Sequence, residues 1–454
     1  MNSLFSSFSK AVIFCIFCSI CSFFSFFSYA QSPKAKEIYQ DGDDFFQAED
    51  YKEAIYYFLQ VEQKGNKSAN LKYKIGACYL NIPGEETKAI PYLEEAIKHV
   101  AQKYKAKDIE EKQAPLHTLF YLGNAYRIDN QLGKALEVYK KFINSPGYEG
   151  NYNIGIVDKE INACERAKII QDAPIDITWY NLGEAINTPL SETHPVISGN
   201  DSVLVFLRNL KFYDAVFMAR KNGNTWLPAE NINTQILSDG DFYPTALSFD
   251  GKELYLVKNG GSSDLIKKSD TNSDIYVSIY NNGKWSAAKP LNSNVNSSKD
   301  ETSATISADG KILYFTSNRR GSRGGFDIYR SVRGADNKWG KAENLGKPIN
   351  TREDEATPSI SSDGKTLYFS SKGHYNMGGY DVFFSTLQKD NTWSIPINIG
   401  YPINTTNYNI GFQTIGNGQS GYISRIAPDG YGKEDIYKVE IRSQFIQKYY
   451  IEEK

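Results

Sequence analysis

Between residues 35 and 172 apolar positions recur every three or four residues, whereas from Ile175 onward they alternate over short runs broken by Gly, Asn and Asp. The first spacing lays an apolar stripe along a helix, and the second gives a strand one apolar face. A helical unit followed by an all-β unit is therefore predicted. Ahead of both, Ala11 to Phe27 is a run of Ala, Val, Ile, Phe, Cys and Ser, with Lys10 the only charge among the first thirty residues.

The helical stretch repeats. Gly42, Gly76 and Gly123 each precede an aromatic by three residues (Phe45, Tyr79, Tyr126). Each is followed by an alanine (Ala54, Ala89, Ala135) and, four residues later, by a large side chain (Phe58, Leu93, Tyr139). Two antiparallel helices approach closely only where small residues stand at the crossing, and the large residues then fill the space around it. The third unit is displaced because residues 101–115 lengthen a helix or loop. Residues 154–170 are predicted to form a single capping helix.

This pattern resembles the tetratricopeptide family over about 110 residues. The resemblance implies a concave face carrying Tyr39, Asp43, Phe46, Gln47, Tyr73, Asn81, Phe120, Asn124 and Arg127, which suits an extended peptide or a partner helix. Packing between neighbouring helices explains the aromatics equally well. The basic positions of a carboxylate clamp are missing, so capture of a peptide's C-terminus is not expected.

In the strand-rich half one block of about fifty residues recurs, most clearly at 300–350 and 354–404. The phase is marked by Asp214, Asp274, Asp327, Asp381 and Asp435, and Trp226, Trp285, Trp339 and Trp393 repeat behind the first four. Each block holds four predicted strands, in the third copy 302–307, 312–317, 327–332 and 339–345. A four-stranded meander of this length is one propeller blade. The last copy lacks a fourth strand, and NLGEAIN at 181–187 matches NLGKPIN at 344–350. Residues 175–182 can therefore complete the last blade and remove its exposed edge. The predicted fold is an α plus all-β multidomain chain: a tetratricopeptide solenoid, then a five-bladed propeller. These blocks resemble TolB-like, WD-type repeats, whose fold alone says little about chemistry.

No catalytic set stands out. The four histidines, His99, His117, His194 and His374, have no ligand spacing, and no G-x-S-x-G, H-E-x-x-H or phosphate loop occurs. No enzyme activity, metal or cofactor is expected. One constellation recurs: Glu192, Asp241, Glu301 and Glu355 occupy the same place in successive blades, and Arg319, Arg320 and Arg323 come from a loop on the same face. They form either a polar docking face, with a cation as its further option, or blade-to-blade hydrogen bonds, the simpler reading. The phase-marking aspartates read as structural.

The N-terminal run, with small residues at Ser28 and Ala30, has the order of a cleavable secretory signal; an uncleaved anchor is the alternative. The expected divisions are a signal at 1–30, a helical unit at 31–172, a propeller at 173–443 and a tail at 444–454. The chain carries a formal charge of −2, which argues against nucleic acid as partner. Cys78 and Cys164 remain after cleavage, and buried free thiols are expected over a disulfide. The order of parts is similar to PorE-like periplasmic proteins associated with the type IX secretion system, without their OmpA-like peptidoglycan-binding domain. That resemblance implies a periplasmic scaffold that binds other envelope proteins. The rival expectation is a carbohydrate- or peptide-processing propeller enzyme tethered by the repeats.

Overall fold

The computed structural model describes residues 35–101, 103–105, 110–260 and 272–442. The expected signal peptide and tail lie outside them.

Three helical hairpins stand in the expected phase: α1 (Ala35–Gln47) with α2 (Tyr51–Gln63), α3 (Ala69–Leu80) with α4 (Ala89–Ala96), and α5 (Thr118–Ile128) with α6 (Leu132–Ile143). Side-chain caps start several helices: Asp50 accepts from the Glu53 N–H and Ser68 from that of Leu71. Each crossing uses its glycine as the spacing requires. A Cβ on Gly76 would fall 2.6 Å from Leu93, and one on Gly123 2.3 Å from the Tyr139 ring. The 101–115 insertion lengthens the connection between α4 and α5 rather than a helix, pinned where the Ala101 N–H meets the Ala114 carbonyl at 2.8 Å. Cys78 and Cys164 are free and buried, and burial pushes both thiols up to about 12.

The β half is a five-bladed propeller. Blade one begins with Ser191–Ile197, blade two with Phe242–Leu247, blade three with Glu301–Ile306, blade four with Glu355–Ile360 and blade five with Gln413–Ile415. Second and third strands follow antiparallel, as in Ile312–Ser317 and Asp327–Val332. Ring closure is as predicted: the strand Ile177–Asn181 pairs antiparallel with the last strand, Asp435–Ile441, Ile177 opposite Ile441. The fourth strands are shorter than expected. In blade three only Glu343–Asn344 pairs as a strand, with an isolated bridge at Trp339. Turn and proline residues such as Gly340 and Pro396 interrupt these segments, and proline cannot donate to a ladder.

The helical unit sits on one end of the propeller, over blades four and five. Helix α7 (Ile154–Gln171) packs on α6, covering the last hairpin, and also faces the propeller, so it joins the two units as well. Its Lys159 pairs with Glu353 at 3.0 Å, and its Arg166 lies 4.6 Å from the centre of the Tyr375 ring. Met377, from blade four, is fully buried in the same apolar cluster as Leu122, Tyr139 and Cys164. Between the two units lies Arg127: it donates to the Thr406 carbonyl, and its Nε stands 2.9 Å from Glu160 Oε2. The Nε approach is off the hydrogen-bond line, so that contact is an ion pair. Thr406 answers by donating its hydroxyl to the Ile128 carbonyl at 3.2 Å.

Candidate functional site

The recurring acidic positions stand at the start of the innermost strands, with Asp241 one residue ahead of its own. Glu192, Glu301 and Glu355 are fully buried. Each accepts the backbone N–H and the hydroxyl of the residue four places earlier: Thr188 (3.1 and 2.6 Å), Ser297 (2.8 and 2.8 Å) and Thr351 (2.9 and 2.7 Å). Arg208 reaches Glu192 at 2.7 Å and Arg319 reaches Glu301 at 2.9 Å. Glu355 has the Ser371 hydroxyl at 2.8 Å instead, and burial pushes its carboxyl up to about 7. Asp241 is half-buried and pairs with Lys258 at 3.0 Å. In blade five the place is taken by Asn409, which accepts the Thr405 N–H at 2.8 Å. The sequence reading missed that amide because it looked for a charge.

These groups tie each innermost strand to the chain segment that enters it. The buried glutamates therefore present no oxygen to a docking partner, which corrects the rim reading for Glu192, Glu301 and Glu355. Among the described residues no three His, Cys, Asp or Glu groups stand together as metal ligands do.

The last three phase-marking aspartates, Asp327, Asp381 and Asp435, cap the loops between second and third strands. Asp327 accepts the N–H groups of Arg323 and Gly324 (2.6 and 3.1 Å), and Asp435 those of Tyr431 and Gly432 (2.6 and 3.2 Å). A second, unpredicted device repeats with them. Asn187, Asn233, Asn296, Asn350 and Asn404 each accept a third-strand N–H, from Ile436, Val216, Ile275, Ile328 and Val382, at 2.7–2.9 Å. Its signal was available: each of these asparagines follows an Ile or Val.

The helical groove residues are mostly inside. Tyr39 is buried and accepts from Asn70 at 3.0 Å, and Tyr73 is buried with its hydroxyl 3.0 Å from His117 Nε2. Phe46 packs edge-on against Phe58 and Tyr73, and Phe120 at a tilt against Tyr139 and Phe142. Asp43 is paired with Lys74, and Asn124 accepts the Tyr139 hydroxyl at 2.6 Å. Arg127 is covered by the propeller. Only Gln47 and Asn81 of the nine are exposed. The groove is corrected accordingly: with small residues at the crossings, neighbouring hairpins come close enough for the aromatics to meet one another.

What stays open is the part of the propeller end that the helical unit leaves uncovered. Arg319 is held by Glu301 and stacks on the Phe315 and Tyr329 rings (4.9 and 5.0 Å), whereas Arg320 and Arg323 are exposed. The corresponding loop of blade one shows Phe212 at 86% exposure and Tyr213 at 48%.

No protein-family model and no curated protein matches the chain. Solved structures to which it is similar include TolB from Acinetobacter baumannii, 17% identical, covering 66% of this chain and 71% of that one with a TM-score of 0.36. They also include the catalytic domain of the Coprinopsis cinerea GH62 α-L-arabinofuranosidase (11% identical, 59% and 98% covered, TM-score 0.38). A third is the α-L-arabinofuranosidase from Lactobacillus brevis (14% identical, 58% and 92% covered, TM-score 0.39).

Proposed function

We propose that the chain is a non-catalytic protein-binding scaffold of the periplasm, an accessory part of an envelope or secretion assembly of the type IX kind. The observation that carries this reading is the buried seam between the two units, where Arg127, Glu160, Thr406 and Met377 meet. A largely buried seam holds two surfaces in one fixed relation, which is what a scaffold supplies. Two linked sites on one body bind an assembly more tightly than either alone, provided both reach it together.

The test is a long Gly/Ser insertion at Ala173-Pro174. Both units should stay folded, and capture of the native envelope complex should weaken. Equal capture by either unit alone would refute the two-surface scaffold. Normal cargo secretion after gene deletion would remove the type IX assignment and leave the scaffold.

The second reading, a propeller enzyme, has one observation in its favour. His194 stands exposed at an irregularity of the innermost strand with φ 52°, its ring 4.9 Å from that of Tyr243 in the next blade. Activity on polysaccharide or peptide panels, lost in His194→Ala, would favour that reading.

A further inference from the structure

In blades three, four and five the repeat builds the same loop between second and third strands, capped by Asp327, Asp381 and Asp435, and projects it from one end. In blade four that loop already serves as a docking element within the molecule. Met377, four residues before Asp381, enters the helical core, and Tyr375 stacks against Arg166. The Met377 N–H bonds to Asp381 at 2.8 Å, the same bond that the Arg323 N–H makes to Asp327 at 2.6 Å. Arg323 is thus the blade-three counterpart of a residue whose partner is known, and its own side chain points from the same end into solvent.

We propose that this blade-three loop docks a carboxylate-rich, extended peptide segment of a partner protein through Arg320, Arg323 and Arg352. This deepens the scaffold reading by giving the chemistry of one partner, and it rests on that reading.

Three observations support it. The loop backbone is fixed before any partner arrives. Asp327 holds Arg323 and Gly324, the Phe326 N–H meets Asp354 at 3.0 Å, and the Glu355 N–H meets the Phe326 carbonyl at 2.9 Å. Gly324 lies so close to the next segment that a Cβ there would fall 2.0 Å from the Glu353 carbonyl oxygen, which sets Arg352 beside the loop. All three arginines are exposed, and among the described residues none has a carboxylate within salt-bridge distance. Of the acids beside the loop, Asp327 caps its backbone, Asp354 pairs with Lys372, and Glu353 is taken by Lys159 of α7. A planar guanidinium on a rigid base forms paired hydrogen bonds to carboxylates, at less entropic cost than a mobile loop would incur.

A peptide is favoured over nucleic acid or an anionic membrane by the scale of the charge. Three guanidiniums form a local cluster on a chain of net charge −2, which repels a long polyanion beyond the reach of the cluster.

The test uses the mature full chain and a dye-labelled peptide of alternating Glu and Gly, read by fluorescence anisotropy at low salt. Parallel titrations use an oligothymidylate and vesicles containing phosphatidylglycerol. The variant is R320E/R323E/R352E, and the control places the same charge change at exposed turns, as K311E/K365E/K389E. Peptide binding should weaken at least about tenfold in the arginine variant and much less in the control, because like charges oppose the ligand only at the site. R320Q/R323Q/R352Q, which introduces no repulsion, should also weaken binding while the melting temperature stays unchanged. Equal weakening in variant and control overturns the proposal, as does tighter binding of the wild type to oligonucleotide or vesicles, or no peptide binding at all. Loss of this site with the linker-insertion result intact would leave the scaffold reading standing.

Discussion

Arg127→Met tests the seam directly. The substitution keeps an unbranched apolar stem out to about the Nε position and removes the guanidinium. It leaves the Glu160 carboxylate without its cation and the Thr406 carbonyl without its donor. Removing one partner of a buried ion pair costs about 3–5 kcal/mol, and a stranded carbonyl about 1–3 more. Glu160 keeps 19% of its side-chain surface in water, which relieves part of the first cost. A loss near the low end, about 3 kcal/mol, is expected, or a fall of about 6–12 °C in Tm for a unit of this size. The molecule supplies two separate probes. All five tryptophans, Trp179, Trp226, Trp285, Trp339 and Trp393, belong to the propeller, while the long helices belong to the other unit. Tryptophan fluorescence and ellipticity at 222 nm should melt together in the wild type. In the variant the helical signal should melt first. Adding Glu160→Gln removes the orphaned charge and should recover most of the loss, giving a coupling energy from the double-mutant cycle. A cost below about 1 kcal/mol with coincident melting, or a double variant no more stable than the single, would refute the clamp.

Two further outcomes follow from burial. Glu355 titrates at about 7 in the folded chain, against the ordinary carboxylate range when unfolded, so it destabilises the fold as pH rises through that interval. Glu355→Gln should therefore gain on the wild type between pH 4 and pH 8, by up to about 3 kcal/mol, measured by urea titration at each pH. His117, which burial holds at about 4, pulls the other way, so the difference between variant and wild type is the readout; a pH-independent difference would contradict it. Gly123→Ala places a Cβ 2.3 Å from the buried Tyr139 ring and should cost about 1–3 kcal/mol by thermal melting, whereas Gly133→Ala, with open space around it, should be neutral or gain up to about 1 kcal/mol.

The sequence alone determined the elements and their repetition, because periodicity is local. Gly76 facing Leu93, the Asp-led third strands and the match of 181–187 to 344–350 all follow from spacing along the chain, and they carry the helical hairpins, the blades and the ring closure. Exposure was not legible in the same way. Tyr39 and Tyr73 have the spacing of a groove, but whether a ring lines a groove or fills one depends on how closely the next hairpin approaches. Glu301 and Glu355 repeat as a functional ring would, yet a repeat in every blade is also what blade construction demands, and the hydroxyls of Ser297 and Thr351 decided it. Arg127 is the clearest case. Its partner Thr406 lies hundreds of residues away, in a segment with no pattern that points back to α5. Only the packing of the helical unit over blades four and five could choose which of the equivalent loops is buried against the chain itself and which is left facing solvent with its arginines free.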